Sequence, residues 1–255
     1  TGASLQRTED GTLLAGGGKV LVSLPENFTG TSYTVPDGVE AISDYLFYKK
    51  TTITSVTLPA SLKKIGTAAF QGCTKLTSIT LPDGFTTLGE HAFDGCSALK
   101  TVAFGQSLTS VPAYAFSNCS ALTAVDLPAT VETVGDYAFR GCAKATALSL
   151  KEGLTSIGVK AFYFCEALEG DLVIPDGVTS LSAGLFYNGF ALTSITIPDT
   201  VTSMDANGDQ FANCTAVTSV KLSKNLTELP KTAFFTCKSL KALPDPVSYT
   251  HLRAH

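Results

Sequence analysis

The chain carries seven cysteines, Cys73, Cys96, Cys119, Cys142, Cys165, Cys214 and Cys237, the first five of them 23 residues apart. Thiols in such a series suit a disulfide ladder or a metal path, because a repeating chain brings equivalent positions side by side. An odd number cannot pair fully within one chain. Lys50 and Gly189 stand where two more cysteines would fall, and no other residue changes to compensate. The column therefore reads as small buried hydrophobes beside a tight turn. Unpaired buried thiols fit an intracellular protein or a surface protein of an anaerobic organism, since oxidising surroundings favour disulfides.

Other constellations are incomplete. His91 with Cys96 could make a nucleophilic pair, but a thiol in apolar surroundings is a poor nucleophile, and His91 occupies a variable position held elsewhere by Tyr114, Tyr137 or Lys160, which reads as solvated. Gly17-Gly18-Lys19 lacks the earlier glycine of a phosphate-binding loop and is followed by Val20 instead of Ser or Thr. Asp205-Ala-Asn207-Gly-Asp209 is spaced like the start of a calcium loop, yet Gln210 stands at the glycine position and Ala216 at the place of the closing glutamate. Four Asn-x-Ser/Thr matches, at Asn27, Asn118, Asn213 and Asn225, are what turns rich in these residues produce by chance. The sequence assigns no catalytic, metal or cofactor residue, and the expectation is a protein that is not an enzyme.

Composition narrows the class further. With 255 residues and 44% hydrophobic content the chain can bury a continuous core. Charged residues make up 16% and the net charge is −4, so there is no electrostatic reason to expect a nucleic-acid partner. No apolar run reaches the roughly 18 to 20 residues of a membrane span. The first residue is Thr1, so an upstream leader or anchor stays open.

What must position these groups is a repeat. Phe47, Phe70, Phe93, Phe116, Phe139, Phe162, Phe186, Phe211 and Phe234 follow one another at 23 to 25 residues. Between them recurs an apolar pattern, as in Leu76, Ile79 and Leu81, whose alternation predicts a short strand. Pro-Asp-Gly at Pro36, Pro82 and Pro175 predicts a turn in which glycine supplies unusual backbone angles. A second apolar group, such as Leu62 and Ile65, precedes a Gly-x-x-Ala-Phe segment that closes the unit. One such unit cannot fold alone, but stacked units bury a common core. Residues 1–32 depart from the period and read as an N-terminal cap or hairpin, 33–244 as the repeats, and 245–255 as a tail foreign to the fold, left by cloning or sequence assembly.

The unit Cys-x-x-Leu-x-x-Ile-x-Leu-Pro-x-x-Leu-x-x-Ile-Gly-x-x-Ala-Phe resembles the BspA-like, or Treponema-type, leucine-rich repeat. That resemblance implies a right-handed repeat solenoid with parallel β-strands on the concave face and short strands, turns or helical turns on the convex side. It also implies a bacterial cell-surface or secreted protein that binds a protein partner, as an adhesin does. The alternative is a structural spacer or display stalk for another domain.

Outward strand positions form two columns, Ser55, Ser78, Thr101, Ala124 and Ser194 beside Thr57, Thr80, Ala103, Asp126 and Thr196. They hold none of the Trp, Tyr or Arg side chains that dominate binding energies. The position after the repeat phenylalanine, usually polar, turns aromatic at Tyr163, Tyr187 and Phe235. Tyr163 and Tyr187, with Phe164 and Phe190, predict an exposed protein-binding patch. The plainer expectation is that Phe164 and Phe190 fill space around the one- and two-residue insertions in these coils while the tyrosines cover them.

Overall fold

The computed structural model describes residues 4–243. The tail expected from 245 lies outside them. The chain opens with β1 (Gln6–Arg7), β2 (Leu13–Ala15) and β3 (Val20–Ser23), paired antiparallel in that order. Each following coil adds a longer and a shorter strand: β4 (Ser32–Thr34) and β5 (Ala41–Ile42), β6 (Ser55–Thr57) and β7 (Lys64–Ile65), β8 (Ser78–Thr80) and β9 (Thr87–Leu88). The series continues with β10 (Thr101–Ala103) and β11 (Ser110–Val111), β12 (Ala124–Asp126) and β13 (Thr133–Val134), β14 (Ala147–Ser149) and β15 (Ser156–Ile157). It closes with β16 (Glu169–Val173) and β17 (Ser180–Leu181), β18 (Ala191–Thr196) and β19 (Ser203–Met204), and β20 (Ser219–Lys221). Among the described residues there is no helix, and therefore none long and apolar enough to cross a membrane.

All pairing between coils is parallel. The longer strands pair β4 with β6, β8 with β10, β12 with β14, and β18 with both β16 and β20. Single amide bonds bridge these groups, as from Thr77 N to Thr54 O at 3.1 Å. The shorter strands form a second column, and β3 begins it by pairing with β5, so the stacking starts inside the segment that sequence alone sets apart as a hairpin. A third side is bonded too. Phe70 N donates to Ala92 O, and Phe93 N to Ala115 O, each at 2.8 Å. The molecule is a solenoid of about nine turns, with amide-to-carbonyl bonds joining successive coils on these three sides.

Alternation explains the walls. In β6, β8, β12 and β20 the central residue, Val56, Ile79, Val125 or Val220, is buried between two exposed neighbours. Inside, the nine repeat phenylalanines stack in one column with ring centroids 4.7 to 6.0 Å apart and planes within 14° of parallel. Burying each ring contributes roughly 1.5–3 kcal/mol. The glycine of Gly-x-x-Ala-Phe permits coil contact: a Cβ on Gly89 would lie 2.4 Å from the Gly66 carbonyl carbon and the Thr67 nitrogen. The Pro-Asp-Gly turns differ from expectation, since only Gly38 has a positive φ, 85°. Gly84 faces open space, and Gly177 is required because a Cβ would meet Leu154 O at 2.4 Å.

Candidate functional site

The cysteines have an internal task. All seven are free and buried. Each thiol donates to the carbonyl oxygen of a repeat phenylalanine in the preceding coil: Cys73 to Phe47 at 3.1 Å, Cys119 to Phe93 at 3.2 Å, Cys237 to Phe211 at 3.2 Å. Burial pushes Cys73 and Cys214 up to about 12 and holds Cys96, Cys119 and Cys142 well above the ordinary thiol range. A thiol that stays protonated is neither nucleophile nor metal ligand.

The other sequence motifs are likewise engaged locally. Gly16, Gly17 and Gly18 all take positive φ in the turn from β2 to β3, and Lys19 Nζ pairs with Glu40 at 2.9 Å. Asp205 Oδ1 accepts from Asn207 N and from its side-chain amide, both at 2.9 Å, which closes a local turn. Among the described residues no three His, Cys, Asp or Glu side chains gather as a metal site. His91 is not the free solvated side chain expected of it: Nδ1 lies 3.1 Å from Asp94 Oδ2, and the ring stacks on Tyr114 at 4.5 Å.

That stack belongs to a surface made by the turns. In one column, one residue per coil, stand Tyr45, Ala68, His91, Tyr114, Tyr137 and Lys160. Three residues further along each coil a second column carries Tyr48, Gln71, Asp94, Ser117, Arg140, Tyr163 and, after the first insertion, Tyr187. Six of the eight tyrosines in the chain therefore lie on this face, with the only histidine and the only arginine of the repeats. Tyr114 stacks on Tyr137 at 4.9 Å, and Tyr163 on Tyr187 at 4.9 Å. Lys160 joins the two stacks, its Nζ 5.9 Å from the Tyr137 centroid and 5.1 Å from that of Tyr163.

The backbone there is unusual. Tyr45, His91, Tyr114, Tyr137 and Lys160 have φ between 53° and 58°, a region that costs a non-glycine residue roughly 1–2 kcal/mol. Ala68 at 52°, Gly184 at 60° and Asp209 at 60° take the same conformation at the equivalent position, so it belongs to the coil rather than to the rings. Beside them, Lys160, Tyr163, Gly184, Tyr187, Asn207 and Asp209 line a cleft of about 370 Å³, whose far wall is the two-residue insertion.

Against known proteins, the sequence pattern described as BspA type Leucine rich repeat region matches residues 26–146 and 132–255, in six copies. The chain belongs to the BspA-type leucine-rich repeat family. Among solved structures it is similar to a leucine-rich repeat protein from Bacteroides ovatus, with 23% identity and a TM-score of 0.64, over 93% of this chain and 79% of that one. It is also similar to a leucine rich cell surface protein from Faecalibacterium prausnitzii, with 25% identity, a TM-score of 0.49 and the same coverages, 93% and 79%. A third is a T. pallidum leucine-rich repeat protein, with 19% identity and a TM-score of 0.47, over 93% of this chain and 87% of that one. No curated protein sequence matches the chain.

Within these BspA-type coils the expected aromatic patch is only partly assembled. Tyr163 meets Phe164 edge-on at 4.4 Å, and Phe164 lies 6.0 Å from Tyr187. All three rings are half-buried. Phe190, 38% exposed, has no ring partner among the described residues. Phe164 takes a φ of 61° at a position held by Gly72, Gly95 and Gly141 in other BspA-type coils. Sequence reasoning missed Tyr45, Tyr48, His91, Tyr114, Tyr137, Arg140 and Lys160. The signal was the enrichment of tyrosine in two columns three residues apart.

Proposed function

We propose that this chain is a non-enzymatic cell-surface or secreted domain that binds a protein partner, as an adhesin does, through its turn face. One observation carries the reading: the side chains that dominate binding energies collect on this face, whereas the exposed positions of the long strands are mostly Ser, Thr and Ala. Surface placement follows from what membership of the BspA-type family implies. Tyr163, Phe164 and Tyr187 form one end of the contact, and Phe190, exposed on the same coil as Tyr187, extends it.

The test is retention of extracellular-matrix and serum proteins on the immobilised chain at low salt, followed by affinity measurement on whichever protein is held. Replacing Tyr163 and Tyr187 together with serine should weaken that affinity at least about tenfold, the loss of two aromatic anchors. Unchanged affinity would remove these residues from the contact. Retention of no protein at all would favour a spacer that holds another domain away from the cell.

A further inference from the structure

Two positive charges meet at one ring of the turn face. Tyr114 covers one face of Tyr137, at 4.9 Å and with planes 9° from parallel. The Arg140 guanidinium carbon and Lys160 Nζ each lie over the same ring, 5.9 Å from its centroid. Tyr114 thus covers one side of a ring that both cations approach, Arg140 from the same coil and Lys160 from the next. Lys160 stands where the three preceding coils supply His91, Tyr114 and Tyr137, so a cation replaces the next ring of the stack. Its stem is confined, because a Cβ on Gly184 would lie 2.8 Å from Lys160 Cγ.

Among the described residues neither charge forms an ion pair: those present are made by other groups, and Asp209 shares the lining of the cleft with Lys160. Asp136, next to Tyr137 in the chain, accepts the Val159 amide at 2.7 Å. Asp94, one coil position before Ser117, already accepts from Gln71, His91 and Asn118. Arg140 is exposed and Lys160 half-buried, so both remain within reach of a partner.

We infer that Arg140 and Lys160 form a subsite for a carboxylate of an acidic protein segment, whose neighbouring apolar side chain enters the cleft beside Tyr163 and Tyr187. A guanidinium fork offers a carboxylate two parallel hydrogen bonds, and an ammonium adds a point charge. The inference rests on the turn face being the binding surface and specifies what that surface recognises. Asp209 at the far wall of the cleft repels a second carboxylate there and leaves the cleft to an apolar or aromatic group. A nucleic acid needs a row of cations to match its phosphates; this face has Arg140 and Lys160 together and Lys49 apart from them, over Tyr48 at the other end, on a chain of net charge −4.

The experiment uses the full chain and fluorescence anisotropy at about 20 mM salt, where screening is weak. The probes are a dye-labelled synthetic peptide of alternating glutamate and phenylalanine, its glutamine-for-glutamate counterpart, and a single-stranded oligonucleotide. The glutamate peptide should bind at least tenfold tighter than the glutamine peptide. Arg140→Gln combined with Lys160→Met, which keeps the lysine stem, should abolish that preference, while Lys160→Arg should retain it; an unchanged thermal midpoint confirms that each variant is folded. Equal affinity for the two peptides, a preference surviving in the double variant, or tighter binding of the oligonucleotide would overturn the inference. If Tyr163→Ser with Tyr187→Ser releases the retained protein but no peptide preference exists, the carboxylate subsite fails and the turn-face reading stands. If the tyrosine variant changes neither, the turn-face reading fails.

Discussion

The thiol of Cys96 donates to the carbonyl oxygen of Phe70, 3.1 Å away in the preceding coil, an oxygen that the Cys73 amide also bonds at 3.1 Å. The second donor exists only while the thiol keeps its proton. An unfolded chain releases thiol protons near the ordinary value of 9.0, whereas folded Cys73 and Cys214 hold theirs to about 12. Above pH 9 the folded state thus binds more protons than the unfolded one. The stability these groups confer is full below that pH and is lost as pH rises from about 9 towards 12. Urea midpoints measured from pH 8 to pH 10 should fall, and less steeply in a Cys96→Ala variant; a flat profile would contradict the buried thiol column.

The two aromatic stacks should respond differently to truncation. Phe116 is fully buried between Phe93 and Phe139, and Phe116→Ala should cost about 3–5 kcal/mol. Tyr114→Gly removes two stacks, on His91 and on Tyr137, each worth about 0.5–1.5 kcal/mol. It also relieves the left-handed backbone at φ 58°, worth about 1–2 kcal/mol, so the net change should stay within about 2 kcal/mol. Chemical denaturation of the two variants separates them. A loss at Tyr114 as large as that at Phe116 would make the surface stack a structural device.

Two glycines five residues apart should behave oppositely. Gly89→Ala drives a Cβ to 2.4 Å from the backbone of the coil behind it, and backbone cannot yield as a side-chain tip does, so the expected cost is about 3 kcal/mol. Gly84→Ala meets nothing within 4 Å and should leave the midpoint unchanged.

Thr236 has a φ of 60° in the column where Gly72, Gly95 and Gly141 sit at 71° to 74°. A β-branched residue is poorly suited to that region. Thr236→Gly should stabilise the last coils by up to about 1 kcal/mol. Because a solenoid frays from its ends, the gain should appear as slower hydrogen exchange at Asn213 N, which bonds Phe235 O at 2.7 Å. Faster exchange there would refute it.

The coil and its core were legible because Phe, Cys, Leu and Ile recur at fixed offsets, and each type suits one buried position. The partner of each thiol was not: an offset of 26 residues has meaning only once a coil of 23 closes and three further residues are counted. The turn face was hidden for a different reason. Tyr114, His91 and Lys160 looked interchangeable and therefore unconstrained, yet stacking accepts phenol, imidazole and ammonium alike. The role of β3 was obscured because its 21-residue step to β5, from Val20 to Ala41, misses the period.

The extra residues at 205–209 leave the coils on either side in register: Ser180 pairs with Ser203 before them, and Ser194 with Ser219 across them. The solenoid thus absorbs added length at this point without passing displacement along its axis. A longer or chemically different loop grafted between Met204 and Gln210 would reshape the wall of the cleft while the remaining coils keep their geometry. The fold in this way separates the part that endures from the part that can be rewritten, and a lineage of such proteins could change what it grips one loop at a time.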